Sequence, residues 1–316
     1  MEKRRSRAKS ASTGKKVSPQ PRDLLTFQLL DEHGPLSNVY LYQLTKHLAV
    51  SEKRQKDRMT DLFHEENTKH GGRYVNRPYQ LNPPKDFYRQ VVSENTPRAR
   101  QALAEAGTSV RGSDHVVRQY DHLFMVSCIT ASFQLAVQAY PNLRYVSRAE
   151  IMSRATNKTL AIPCAISHRF PSGVEFYDNV LVPDGLFGIE YDTAGEKTYL
   201  FFLLEADRHK EPVRRQGFTT TSYLRKTLQY REVVGRGLYK HHFGMKAGML
   251  VLNVTTNREH EHEIRTMVEQ VVGKNPYMLF ATVEHFEGYL DVPPVLYDLF
   301  EKGWRRVGYA DYLIPR

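Results

Sequence analysis

The stretch "VPDGLFGIEYDTAGEKTYLFFLLEADRHK", residues 182–210, governs the reading of the whole chain. Asp184 stands between Pro183 and Gly185. Glu205 closes a run, Thr198 to Leu204, that holds no charge, and Asp207 comes two residues later. An aromatic and aliphatic run of this kind predicts a buried strand. An acid at its end is open to two readings. The strand simply reaches water there, or the carboxylate is set at the sheet's edge for chemistry. Pro-Asp-Gly, alone, also reads as a plain β-turn. Paired strands lie only about 5 Å apart, so acids at neighbouring strand ends can converge on one cation.

The flanking sequence supplies the frame of an α/β domain. Upstream, "SDHVVRQYDHLFMVSCITASFQLAVQAYP" predicts a long apolar helix ending at Pro141, and "LRYVSRAEIM" a strand or a short helix. "VEFYDNVLVPDG", "LFGIEYD" and "KTYLFFLLEAD" predict three strands. A helix from about Ser222 to Phe243 comes next, then the buried strand "AGMLVLNVTT", the helix "HEHEIRTMVEQVV" and the strand "YMLFATVEHF". The order is α-β-β-β-α-β with one helix and one strand added, and it predicts a mixed sheet with flanking helices over residues 114–316.

Nearer the N-terminus the periodicity is helical. "DLLTFQLLDEHGPLS" stops at Gly34-Pro35. Ser37 and Ser51 are candidate caps for "NVYLYQLTKHL" and "EKRQKDRMTDLFHEEN". "KHGGRYVNRPYQL" reads as a hairpin turning at Gly71-Gly72. Three short helices and a hairpin predict a winged helix-turn-helix over residues 23–82. In its third helix Met59, Leu62 and Phe63 point inward; Lys53, Asp57, Thr60 and His64, flanked by Arg54 and Lys56, point outward toward a major groove. Arg73 on the hairpin is a further candidate nucleic-acid contact. Against this, residues 23–82 hold eight basic and eight acidic side chains, a weak charge for a DNA reader. Residues 83–113, with Pro83-Pro84 and a helix "RARQALAEAG", read as a linker.

The chain of 316 residues carries a net charge of +10, unevenly spread. Residues 1–22 hold eight Lys or Arg against one Glu, lack periodicity, and are expected to be a disordered basic tail. Residues 208–246 hold ten Lys or Arg against two Glu. Two separated basic zones predict a polyanionic partner, double-stranded DNA first. On a helical wheel, Arg225, Lys226, Gln229, Arg236 and Lys240 gather on one side and would steer a phosphate backbone. No apolar run approaches the ~20 residues of a membrane span, and Cys128 and Cys164 are expected as free, buried thiols of a cytoplasmic protein. "NREHEHEIR" reads as a helix start capped by Asn257, not as a metal cluster, since His260 and His262 do not share a helix face. Trp304 is expected in the core.

Pro183-Asp184-Gly185 before one strand and Glu205-Ala206-Asp207 at the end of the next resemble the PD-(D/E)XK superfamily, the fold of restriction endonucleases. That resemblance implies that Asp184 and Glu205 are Mg²⁺ ligands and that a lysine two residues after Glu205 assists the attacking water. Hydrolysis of a phosphodiester calls for such a hard cation on oxygen ligands. Here the third position is Asp207. Three readings stay open: Lys210 or Lys226 substitutes for the missing lysine, Asp207 is a further ligand, or the site no longer cuts. With the winged helix and linker in front, residues 23–290 resemble the replication-relaxation family of plasmids and integrative elements. The resemblance implies a DNA-binding protein acting in replication, relaxation or mobilisation. The alternatives are a Mg²⁺-dependent endonuclease or nickase, and a winged-helix transcriptional regulator. A homodimer and replication or mobilisation proteins of the element are the further partners considered.

Overall fold

The computed structural model describes residues 9–48, 51–67, 69–77, 90–108, 120–286 and 292–316. The chain divides into two compact units, Met1–Ala131 with Gly288–Val295, and Ser132–Glu287 with Leu296–Arg316. Among the described residues, no helix is long and apolar enough to cross a membrane.

The first unit contains α1 (Pro21–His33), β1 (Leu36–Ser37), α2 (Asn38–Thr45), α3 (Glu52–His64), β2 (Val75–Asn76), β3 (Val92–Asn95) and α4 (Pro97–Glu105). The three short strands form one antiparallel sheet in the order β1-β3-β2. Ser51 caps α3 as its sequence suggests, its hydroxyl accepting from the Arg54 N–H. Phe27, Leu30, Leu41, Leu44, Met59, Leu62 and Phe63 are buried.

The structure corrects four expectations in this unit. Gly71-Gly72 is not a hairpin turn, because β2 pairs with β3, Val75 opposite Asn95, and no strand directly precedes the glycines among the described residues. The stretch 92–105, expected within a linker, forms β3 and α4 and supplies that pairing strand; residues 83–89 and 109–113 of the expected linker lie outside the described residues. Residues 11–18 are not a free tail. Val17 is buried, the Ser12 and Thr13 hydroxyls and the Thr13 N–H donate to the Glu65 carboxylate, and Lys15 pairs with Asp61. His64, expected to face outward, accepts from the Ala11 N–H and is buried. The rest of the expected tail, residues 1–8, lies outside the described residues.

α5 (Tyr120–Val137) runs from the first unit into the second. The second unit continues with β4 (Leu143–Val146), α6 (Arg148–Arg154), β5 (Ile162–Phe170), β6 (Gly173–Leu181), β7 (Gly185–Thr193), β8 (Glu196–Asp207), α7 (Tyr223–Tyr230), α8 (Leu238–Phe243), β9 (Gly248–Thr255), α9 (Arg258–Val272), β10 (Asn275–Thr282), α10 (Asp298–Glu301) and β11 (Arg305–Val307). It is a mixed α/β unit. Six strands form one sheet in the order β11-β10-β9-β8-β7-β4, while β5 and β6 make a separate two-stranded ribbon. β8 is antiparallel to β7 and parallel to β9, which is parallel to β10.

Alternation along β8 explains its uncharged run. Phe202 faces Phe133 of α5, with Phe187 of β7 and Trp304 in the same aromatic cluster. Leu203 faces the opposite way, into a core shared with Leu224 and Leu228 of α7 and Ile264 and Val268 of α9. A strand covered on both faces has no solvated side on which to place polar residues. Leu203 and the odd positions beyond it therefore lie on the side of α7 and α9, which fixes where Glu205 and Asp207 point.

Candidate active site

Asp184 is not in a free turn. Its N–H donates to the Leu204 carbonyl at 2.9 Å, extending the β7–β8 ladder by one residue. Since Gly185 pairs with Leu204, Asp184 lies opposite Glu205 on the same side of the sheet. Its Oδ2 accepts the Ala206 N–H at 2.9 Å, which holds the acid at the strand end. Both carboxylates are nearly covered, Asp184 at 8% exposure and Glu205 at 1%.

The cation comes from α7. Ser222 caps that helix by accepting from the Arg225 N–H, and this sets the phase of the helical turns beyond it. Lys226 and Tyr230, four residues apart, share a face. Lys226 Nζ lies 2.6 Å from Glu205 Oε2, and the Tyr230 hydroxyl donates to Glu205 Oε1. Lys226 also pairs with Glu211 at 2.7 Å; the second Glu211 oxygen is buried and has no hydrogen-bond partner among the described residues. Of the two lysines considered for the missing position, Lys226 reaches the carboxylate. Lys210 is exposed, and its backbone N–H serves Asp207.

Three acids thus surround one ammonium. Burial pushes the Glu205 acid up to about 7; Lys226 opposes this and the charge on Asp184 adds to it. Lys226 moves upward too. Burial disfavours its charge, but Glu205, Asp184 and Glu211 together outweigh that. The lysine stays cationic, and the Glu205 acid is displaced toward its protonated form.

Asp207 does not join this group. Its Oδ2 lies 2.8 Å from His260 Nε2, and its Oδ1 accepts the N–H groups of Lys210 and Glu211. Burial works against its ionisation, but these hydrogen bonds, that from His260 foremost, hold the acid below its usual range. Asp207 shapes the 207–211 turn that brings Glu211 to Lys226. Asp207→Lys is therefore expected to destabilise the unit by about 2–4 kcal/mol, measured by urea unfolding, because it strands His260 and two N–H groups. A variant as stable as wild type would remove Asp207 from this role. Asn257 caps α9 through the His260 N–H, as its spacing predicts.

The Mg²⁺ that the resemblance implies can be judged by the donors. No cluster of three or more His, Cys, Asp or Glu suited to a metal occurs among the described residues. Mg²⁺, however, needs only one or two carboxylates and keeps most of its waters. Asp184 and Glu205 meet that requirement, and the surplus negative charge and the unpartnered Glu211 oxygen fit a further cation.

The single basic face projected for residues 222–243 is corrected. A five-residue π-helical turn, Arg231–Gly235, and Gly237 at φ +79° break the segment, so Arg236 and Lys240 do not continue the face of α7. Leu238, beyond the break, is 42% exposed. Lys226 and Gln229 are turned inward, and Arg225 is pinned to the Phe218 carbonyl and the Thr221 hydroxyl. Arg236 and Lys240 are exposed, the former paired with Glu232. In the first unit Lys53, Arg54 and Arg73 are exposed. Lys56 is exposed and pairs with Glu52, whereas Thr60 is half-buried with its hydroxyl on the Lys56 carbonyl. Glu211 and Tyr230 did not emerge from the sequence.

No family model, no curated protein and no solved structure matches this chain.

Proposed function

We propose that this is a DNA-binding protein of a plasmid or other mobile element, acting in its replication or mobilisation. We further propose that its second unit is a restriction-endonuclease-like centre for Mg²⁺-dependent phosphodiester cleavage. The observation that carries the reading is the placement of Lys226 on Glu205, with Asp184 across the strand pair. A lysine from α7 takes the part of the one missing after Glu205. Asp184 and Glu205 would hold the metal, whose chemistry is to activate water and neutralise phosphate charge. Lys226 contributes a fixed positive charge beside the phosphate. Tyr230 and Glu211 keep that ammonium and the Glu205 carboxylate in register. The order helix, strand, helix, helix, strand, strand in the first unit supports a winged helix, with Lys53, Arg54 and Lys56 of α3 toward the duplex.

The test is nicking or linearisation of supercoiled plasmid in Mg²⁺. Asp184→Asn keeps an oxygen for the Ala206 N–H but loses the charge, and should lower the rate about a hundredfold or more. In Ca²⁺ both proteins should still retard the plasmid in a gel, which separates binding from cleavage. Mg²⁺ should also raise the wild-type melting temperature. Failure of wild type to cut, with no Mg²⁺ effect on melting, would reject the enzyme. A second reading, a DNA-binding platform without cleavage, draws on the fact that both Glu205 oxygens are already bonded within the protein.

A further inference from the structure

At the end of β8 remote from Glu205, residues 197–201 join α6 and the end of α8 around a cavity of about 500 Å³. That volume lies in the range of small-molecule sites, roughly 300–1,000 Å³. Its residues take no part in the carboxylate–lysine centre.

The floor is aromatic and fixed in place. Tyr199 and Phe201 lie on the same side of β8, both half-buried, their rings parallel within 4° and 6.1 Å apart. Phe201 rests on Gly188 of β7, where any Cβ would come within 2.5 Å of the ring. The Tyr199 hydroxyl donates to Glu190 at 2.9 Å, and Arg144 and Lys197 hold Glu190 from other sides. The opposite wall, Phe243 to Met245, is tied down as well. The N–H groups of Thr156 and Asn157 donate to the carbonyls of Phe243 and His242, and Gly244 sits so close to Thr156 that a side chain would collide with its hydroxyl.

The rim is cationic. Arg154, Lys197 and Lys246 line the cavity with one acid, Glu150. Glu150 is already neutralised by Arg144 and Arg154, and Lys197 is paired with Glu190. Lys246 is exposed and makes no ion pair among the described residues. Aromatic side chains beside an uncompensated cation in a largely apolar cavity favour a ligand with a ring and a negative group.

We propose that this cavity is a binding site for a small aromatic anion, its ring over Tyr199 and Phe201 and its charged group on Lys246. A nucleoside monophosphate and an aromatic carboxylate share that chemistry. The test is titration calorimetry of the full chain with adenosine 5′-monophosphate, adenosine, indole-3-acetate and indole. At least one anion should bind in the millimolar range or tighter, and its neutral counterpart about tenfold more weakly. A preference for the monophosphate identifies a nucleotide site, and one for indole-3-acetate a carboxylate site. Lys246→Ala, an exposed change expected to leave melting unaltered, should weaken the anion about tenfold, and Lys246→Arg should restore it. No binding of either anion to wild type, or equal binding to the alanine variant, would overturn the proposal.

Discussion

Lys226→Met is expected to cost about 3–5 kcal/mol of stability at pH 8, and much less at pH 5. The asymmetry comes from Glu205. In the folded protein its acid is raised to about 7 from an ordinary 4.5. A raised acid binds more protons folded than unfolded between those values. Wild-type stability attributable to Glu205 therefore falls as pH climbs from about 4.5 to about 7, and levels off above. Lys226 is the group that opposes this rise, so its loss drives the Glu205 pKa higher still. At pH 5 the Glu205 carboxyl is then neutral, so on its side only a hydrogen bond is lost, while the pairing with Glu211 is lost at both pH values. At pH 8 the variant must either bury an anion without its cation or take up a proton against the pH. Adding Glu205→Gln should recover most of the loss at pH 8, since it removes the charge that the lysine balances. Urea unfolding of the wild type, the single variant and the double variant at both pH values measures this. An equal loss at pH 5 and pH 8 would show that Lys226 does not act by balancing the charge on Glu205.

The two strands were legible in their apolar runs, though the role of the acids at their ends was not. One strand-like run follows Pro-Asp-Gly and the next, uncharged from Thr198 to Leu204, ends in Glu-Ala-Asp; in the fold β7 and β8 pair so that Asp184 stands opposite Glu205. Lys226 could be named only as one of two candidates. Which face of α7 meets the sheet depends on Leu224 and Leu228 packing into the core, which sequence spacing suggests but does not fix. Glu211 and Tyr230 were out of reach for the same reason, and Asp207 for another. Its partner His260 stands 53 residues away on α9, so the acid looks like a third ligand until the helix is in place. The wheel over 222–243 failed because it assumed one uninterrupted helix. Gly235 and Gly237 were the visible warning, and the π turn between them and Tyr230 rotates everything beyond.

Deletion of residues 1–19 is expected to destabilise the first unit by about 4 kcal/mol or more, whereas the composition of that segment predicts almost no effect. Composition fails here because the docking rests on few groups. Val17, at 1% exposure, is worth roughly 1.5–3 kcal/mol of apolar burial. Glu65, fully buried at the end of α3, takes three of its hydrogen bonds from Ser12 and Thr13. Without them it is a buried carboxylate lacking these donors, the costlier half of the loss. The exposed Lys15–Asp61 pair contributes little by comparison, so raising the salt should not reproduce the deletion. Val17→Asp should approach the effect of the full deletion, and Lys15→Gln should not. Thermal and urea unfolding of these variants decides the matter. A deletion that melts with wild type would mean that the segment is a solvated tail after all. Docking also bears on the DNA-binding reading. The segment covers His64 and Glu65 and pairs with Asp61, leaving Lys53, Arg54 and Lys56 as the open end of α3. Any fall in DNA affinity on deletion would then combine lost cations with a loosened α3. Lys15→Gln together with Lys16→Gln, which leaves Val17 and Glu65 seated, isolates the electrostatic part. It should lower affinity most at low salt, where phosphate contacts contribute most.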